Sequence, residues 1–154
     1  MSRAFTRESD DDPGVVPERA LSPHPNFVTP TGLAALEAQV RALESERSAA
    51  RGAADAAQRA RIERDLRYFT QRLASARVVV PSQAPARVRF GVRVSLRTAT
   101  GASQVFRLVG EDEADAARGL VSWVAPLAQA LLGHEPGDIV RFQEGELEIL
   151  ELGP

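Results

Sequence analysis

The sequence predicts an α+β protein in which an antiparallel helical hairpin precedes a small antiparallel β domain with one short helix. Three observations carry this. Apolar residues recur at Leu33, Leu36, Val40 and Leu43, and again at Ile62, Leu66, Phe69, Leu73 and Ala76, with the three-and-four spacing of a coiled-coil seam. Between the seams lies "SERSAARGAADAAQRAR", whose only glycine is Gly52. Beyond "VVVPSQAPARV" the helical period gives way to two-residue alternation in "RVRFGVRVSLR".

Residues 1–27 form a tail rich in acid and proline. Asp10, Asp11 and Asp12 precede Pro13, Pro17, Pro23 and Pro25, with few apolar groups between them. Such a segment does not offset its ordering entropy by burial, so it is expected to be disordered or loosely draped. Residues 28–79 are expected to form the hairpin. Thr29 suits an N-cap, and Pro30 suits the first helical position, where its missing N–H costs nothing. Two arms of about 20 residues, rising 1.5 Å per residue, reach roughly 30 Å.

Residues 80–86 are expected to be a linker and residues 87–154 the β domain. Val88, Phe90, Val92, Val94 and Leu96 share one face of the first strand, and "TATGAS" turns the chain into "QVFRLVG". "LVSWV" reads as a further strand, "PLAQALLG" as a short helix closed by Gly133, and "GDIVRF" with "ELEILEL" as a final strand pair.

Composition limits the function classes. The 154 residues carry 19 Lys and Arg against 21 Asp and Glu, a net charge of −2, which supplies no broad basic face for nucleic acid. With no cysteine, neither a disulfide nor thiolate chemistry is available, and a reducing cytoplasm fits. No apolar run has the length of a membrane span, and "MSRAFTRESDDDPG" lacks the apolar centre of a signal peptide.

Catalytic machinery is not visible, so the chain is not read as an enzyme. No cofactor or metal site is expected. "EDEAD", Glu111 to Asp115, spells a helicase box, but the Gly-rich phosphate loop that such a box requires is missing, and a structural turn is the better reading. His24 and His134, the only histidines, have no neighbouring metal-ligand pattern. Trp123, the only Trp, fits either the core or a docking surface.

The order of parts resembles a known family. "VTPTGLAALEAQV" and "RIERDLRYFTQRLASARVV" resemble the two coiled-coil arms of the Gre transcript-cleavage factors, which bind bacterial RNA polymerase. "FGVRVSL", "FRLVGEDEADAARGLVSWVAPLAQALLGHEPGDIV" and "ELEILEL" resemble their C-terminal domain, from about Val28 to Leu152 overall. The resemblance implies an FKBP-like C-terminal domain, without prolyl isomerase activity, docked on the rim of the polymerase secondary channel. The coiled coil would then enter the channel. Its docking motif corresponds to Asp112, Glu113, Ser122, Trp123, Ala125, Pro126 and Leu127. The family commonly has Ser-Pro where this chain has Ala125-Pro126; Ala-Pro is similar to the related nucleoside diphosphate kinase regulator, an interaction protein.

In cleavage-active relatives, an Asp and a Glu in a "GDxSENAEY"-like stretch at the hairpin tip help hold catalytic Mg²⁺ in the polymerase. Here that stretch is absent and the arms are shorter by two to three heptads. The tip carries Arg47, Arg51, Asp55 and Arg59 instead. A hard cation needs oxygen ligands, and the arginines repel it. The expectation is therefore a monomeric polymerase-binding regulator of elongation that does not stimulate cleavage. The alternatives are a genuine cleavage factor and a kinase-regulating interaction protein.

Overall fold

The computed structural model describes residues 15–52 and 55–154. It is α+β, with two helices forming the hairpin and a five-stranded sheet following them. Helix α1 spans Pro30–Ala50 and α2 spans Ala56–Ser75. Thr29 is the N-cap of α1, its hydroxyl accepting from Gly32 N at 3.0 Å, and Pro30 opens the helix as expected. Leu36, Leu43 and Ala50 of α1 are buried, as are Ile62 and Leu66 of α2, so the two seams meet. Leu33, Val40, Phe69 and Leu73 are half-buried, as befits a two-helix unit with few layers above it.

The hairpin base is joined by two short strands that the sequence did not reveal. Strand β1, Phe27–Val28, precedes α1, and β2, Arg77–Val78, follows α2; the two pair in parallel. Two residues each are too few for any alternation to show. Asn26 fastens the same point, its Nδ2 donating to Arg72 O at 2.7 Å.

The sheet comprises β3 (Arg93–Thr98), β4 (Ser103–Val109), β5 (Leu120–Ser122), β6 (Ile139–Phe142) and β7 (Gly145–Gly153), in the order β5-β4-β3-β7-β6. Three of its pairings are antiparallel, but β5 lies parallel to β4, which corrects the wholly antiparallel expectation. The reason lies in the connection. Two 3-10 turns, Glu111–Glu113 and Ala116–Arg118, carry the chain back before β5 begins. Strand β3 is also shorter than its alternation suggested, starting at Arg93, although Val88, Val92, Val94 and Leu96 are all fully buried. Helix α3, Pro126–Leu131, lays Ala128 and Leu131 on this core with Leu108 and Ile149, and Gly133 follows at φ 85°, the left-handed region that suits glycine.

The tail from Val15 onward has no regular structure before β1, yet specific contacts hold it to α2. Glu18 pairs with Arg67, and Arg19 lies 3.6 Å from Asp65 with its guanidinium 3.8 Å above the Tyr68 ring. Residues 15–27 thus lie along α2, which supplies Arg67 and Asp65 for ion pairs and the Tyr68 ring for Arg19. Residues 1–14, with the Asp10–Asp12 run, lie outside the described residues.

Candidate functional site

Three regions hold the residues singled out from the sequence: the joint between hairpin and sheet, the edge formed by β5 and α3, and the hairpin apex. At the joint, Gly110 and the 3-10 turn Glu111–Glu113 bring three consecutive acids against the helices. Glu113 reaches the N-terminus of α1. Its Oε2 accepts from Thr29 N at 3.0 Å and Gly110 N at 3.1 Å, and its Oε1 accepts from the Thr29 hydroxyl. A carboxylate at this position also faces the positive end of the helix dipole.

Asp112 reaches α2. It accepts from the buried Arg72 Nε and, at 2.8 Å, from the Tyr68 hydroxyl, while Glu111 lies 3.7 Å from Arg72 Nη2. Tyr68 is held above its ordinary pKa, first by burial and then by its hydrogen bond to the Asp112 carboxylate and that group's negative charge. Arg72 is 3% exposed, and these acids compensate its buried charge. Asp112 and Glu113, expected in a docking motif, thus spend their carboxylates on contacts within the chain. "EDEAD" is a structural turn with a further duty as a clasp.

Close packing at the joint requires glycine. A Cβ on Gly32 would stand 2.1 Å from Glu113 Cδ, and one on Gly110 would stand 2.5 Å from the backbone oxygen of Phe27.

The second region continues the chain. Ser122 ends β5, and its Oγ accepts from Val124 N at 3.3 Å. Trp123 is half-buried against Phe27, ring centroids 5.1 Å apart, and against His24 at 6.1 Å. Its Nε1 is buried with no hydrogen-bond partner among the described residues. The tryptophan therefore packs across the joint, a third outcome beside core and exposed docking surface. Ala125 is the N-cap of α3 and supplies no capping hydrogen bond; Pro126 occupies the first helical position and is exposed, and Leu127 packs against the core.

At the apex, Asp55 caps α2, its Oδ1 accepting from Gln58 N at 2.7 Å. Arg47, Arg51 and Arg59 line one cleft with Ala50, Ile62 and Glu63. Glu63 stands 4.0 Å from Arg47 Nη1. Among the described residues, no group of three or more His, Asp or Glu is placed to hold a metal ion. None of the described helices is long and apolar enough to cross a membrane.

Comparison with known proteins places this geometry. Residues 83–153 match the family described as transcription elongation factor GreA/GreB, C-terminal. A GreA elongation factor from Ruegeria pomeroyi is 32% identical over 135 residues, covering 75% of this chain and 86% of that protein. The chain belongs to the GreA/GreB family. A GreB factor from Neisseria meningitidis is 39% identical over 97 residues, and the match spans 60% of that relative's length. Among solved structures, the GreA factor homolog 1 of Thermus thermophilus is similar over 85% of this chain, at 19% identity and a TM-score of 0.41.

Within this Gre-family chain, sequence reasoning missed Arg72, Tyr68, Phe27 and Asn26. Arg72 left one signal, a charge three residues after Phe69 on the seam side of α2. Its partners are about 40 residues away in the chain, beyond the reach of any local pattern.

Proposed function

We propose that this Gre-family protein is a regulator that binds RNA polymerase at its secondary channel and does not stimulate transcript cleavage. The apex carries the reading. Asp55 has one carboxylate oxygen committed to capping its own helix, and the arginine-lined cleft at the apex holds one further acid, Glu63, opposite Arg47. A divalent ion takes several oxygen ligands, and this apex offers too few against an unfavourable field. Arms of 21 and 20 residues, about 30 Å at 1.5 Å per residue, then act by occupying the channel or by competing with other factors for it.

Docking is assigned to the β5–α3 edge, with Pro126 as the exposed contact and Trp123 as its support. Asp112 and Glu113 serve it indirectly by setting the angle between hairpin and sheet. The test is capture of core RNA polymerase by the full chain. Pro126→Ala and Trp123→Glu should each weaken capture by at least about tenfold, the usual consequence of losing an interface anchor. Capture unchanged in both variants, with the fold verified by circular dichroism, removes the docking assignment.

A further inference from the structure

We propose that the apex cleft binds a small polyphosphate, recognising the linked phosphates shared by inorganic pyrophosphate and the nucleoside triphosphates. The cleft holds about 290 Å³ and is lined by Arg47, Ala50, Arg51, Arg59, Ile62 and Glu63. Three guanidinium groups against one carboxylate give it a positive balance, and the fork geometry of arginine matches phosphate oxygens in pairs. Ala50 and Ile62, each 7% exposed, form an apolar floor that weakens screening above it.

Two details mark the cleft as short of an acceptor. Among the described residues Arg47 Nε is buried with no hydrogen-bond partner, and a buried N–H left unpaired is costly until an acceptor arrives. The one acid of the cleft sits at 4.0 Å from Arg47 Nη1, the outer limit of an ion pair, with both side chains more than 40% exposed. Glu63 is thus a weak internal competitor that an anion of higher charge displaces.

Charge distribution favours a compact anion over a nucleic acid strand. A strand needs a continuing basic track, one phosphate after another. From Arg64 onward on α2 the arginines are matched by acids: Arg64 by Asp65, Arg67 by Glu18 and Arg72 by Asp112.

Calorimetric titration of the full chain at low salt tests this, with sodium pyrophosphate in one arm and ATP in the other. Saturable one-to-one binding is expected, with similar affinity in the two arms. Arg47→Ala and Arg51→Ala should each weaken it by about tenfold, as expected for loss of a charge-assisted contact. Glu63→Gln should tighten it by removing the competing carboxylate. Circular dichroism verifies the fold of each variant. No saturable heat in either arm, or affinities untouched by both arginine substitutions, overturns the proposal. So does a single-stranded RNA that binds more than tenfold tighter and depends on the same arginines. Polymerase is absent from the titration, so failure here leaves the docking assignment standing, and failed docking leaves this site standing.

Discussion

The guanidinium of Arg72 on α2 is buried and donates to the carboxylate of Asp112, which lies in the turn between β4 and β5. This one ion pair ties the hairpin to the sheet. It is extended outward through Tyr68 to Arg19, and at the far side of the joint Glu113 clasps the first turn of α1. The hairpin's direction relative to the β5–α3 edge is therefore a product of side-chain chemistry at the joint.

Breaking this pair from one side should be more harmful than removing it whole. Asp112→Ala leaves a buried cation with only Glu111 nearby, and a loss of about 3–5 kcal/mol is expected from the uncompensated charge. The double variant Arg72→Met with Asp112→Ala removes both charges and should recover a large part of that loss. Urea denaturation of the three proteins checks it. Equal losses in the single and double variants would refute the coupling.

Gly32→Ala separates packing from propensity. In an exposed helix this change stabilises by about 1 kcal/mol. Here the new methyl group meets Glu113, whose carboxyl is held by Thr29 and Gly110. Net destabilisation is expected, and the sign of the shift in the denaturation midpoint decides.

Tyr68 is the only tyrosine, so its ionisation is read directly in the ultraviolet spectrum. Its folded pKa lies above the unfolded value, so the neutral phenol is favoured by folding. The associated stability is fully present below the unfolded pKa and is lost as pH rises through the folded one. Alkaline titration should show a midpoint above the ordinary tyrosine range. Asp112→Asn should lower it, because the hydrogen-bond acceptor remains while the negative charge goes.

At the start of α3, Ala125 fills an N-cap position without a capping side chain. Ala125→Ser should stabilise the protein by about 1 kcal/mol. Such a gain would assign a hydroxyl at this position to local helix stability. If Ala125→Ser instead leaves stability unchanged and strengthens polymerase capture, the hydroxyl belongs to the docking contact.

The sequence made the helices and most of the sheet legible, because burial on one face imposes a period on each. Leu36, Leu43, Ile62 and Leu66 declared the hairpin seam, and Thr29 with Pro30 declared its start. The joint was not legible. Its partners, such as Thr29 with Glu113 and Tyr68 with Asp112, are distant in sequence, and charged residues in a mostly exposed chain carry no mark of having been buried. The parallel placement of β5 was hidden for a related reason, since three residues of strand are positioned by the turns before them. The arginine-rich apex was visible as composition, but only the folded hairpin assembled Arg47, Arg51 and Arg59 around one cleft.

Whether the apex can act in catalysis is decided by transcript cleavage in a backtracked RNA polymerase complex, assayed with saturating protein whose binding to the same complex is measured in parallel. The protein is expected to bind while cleavage stays at the polymerase's intrinsic rate, with Asp55→Ala indistinguishable from the parent chain. Cleavage strongly stimulated by the parent chain and abolished by Asp55→Ala would contradict that expectation.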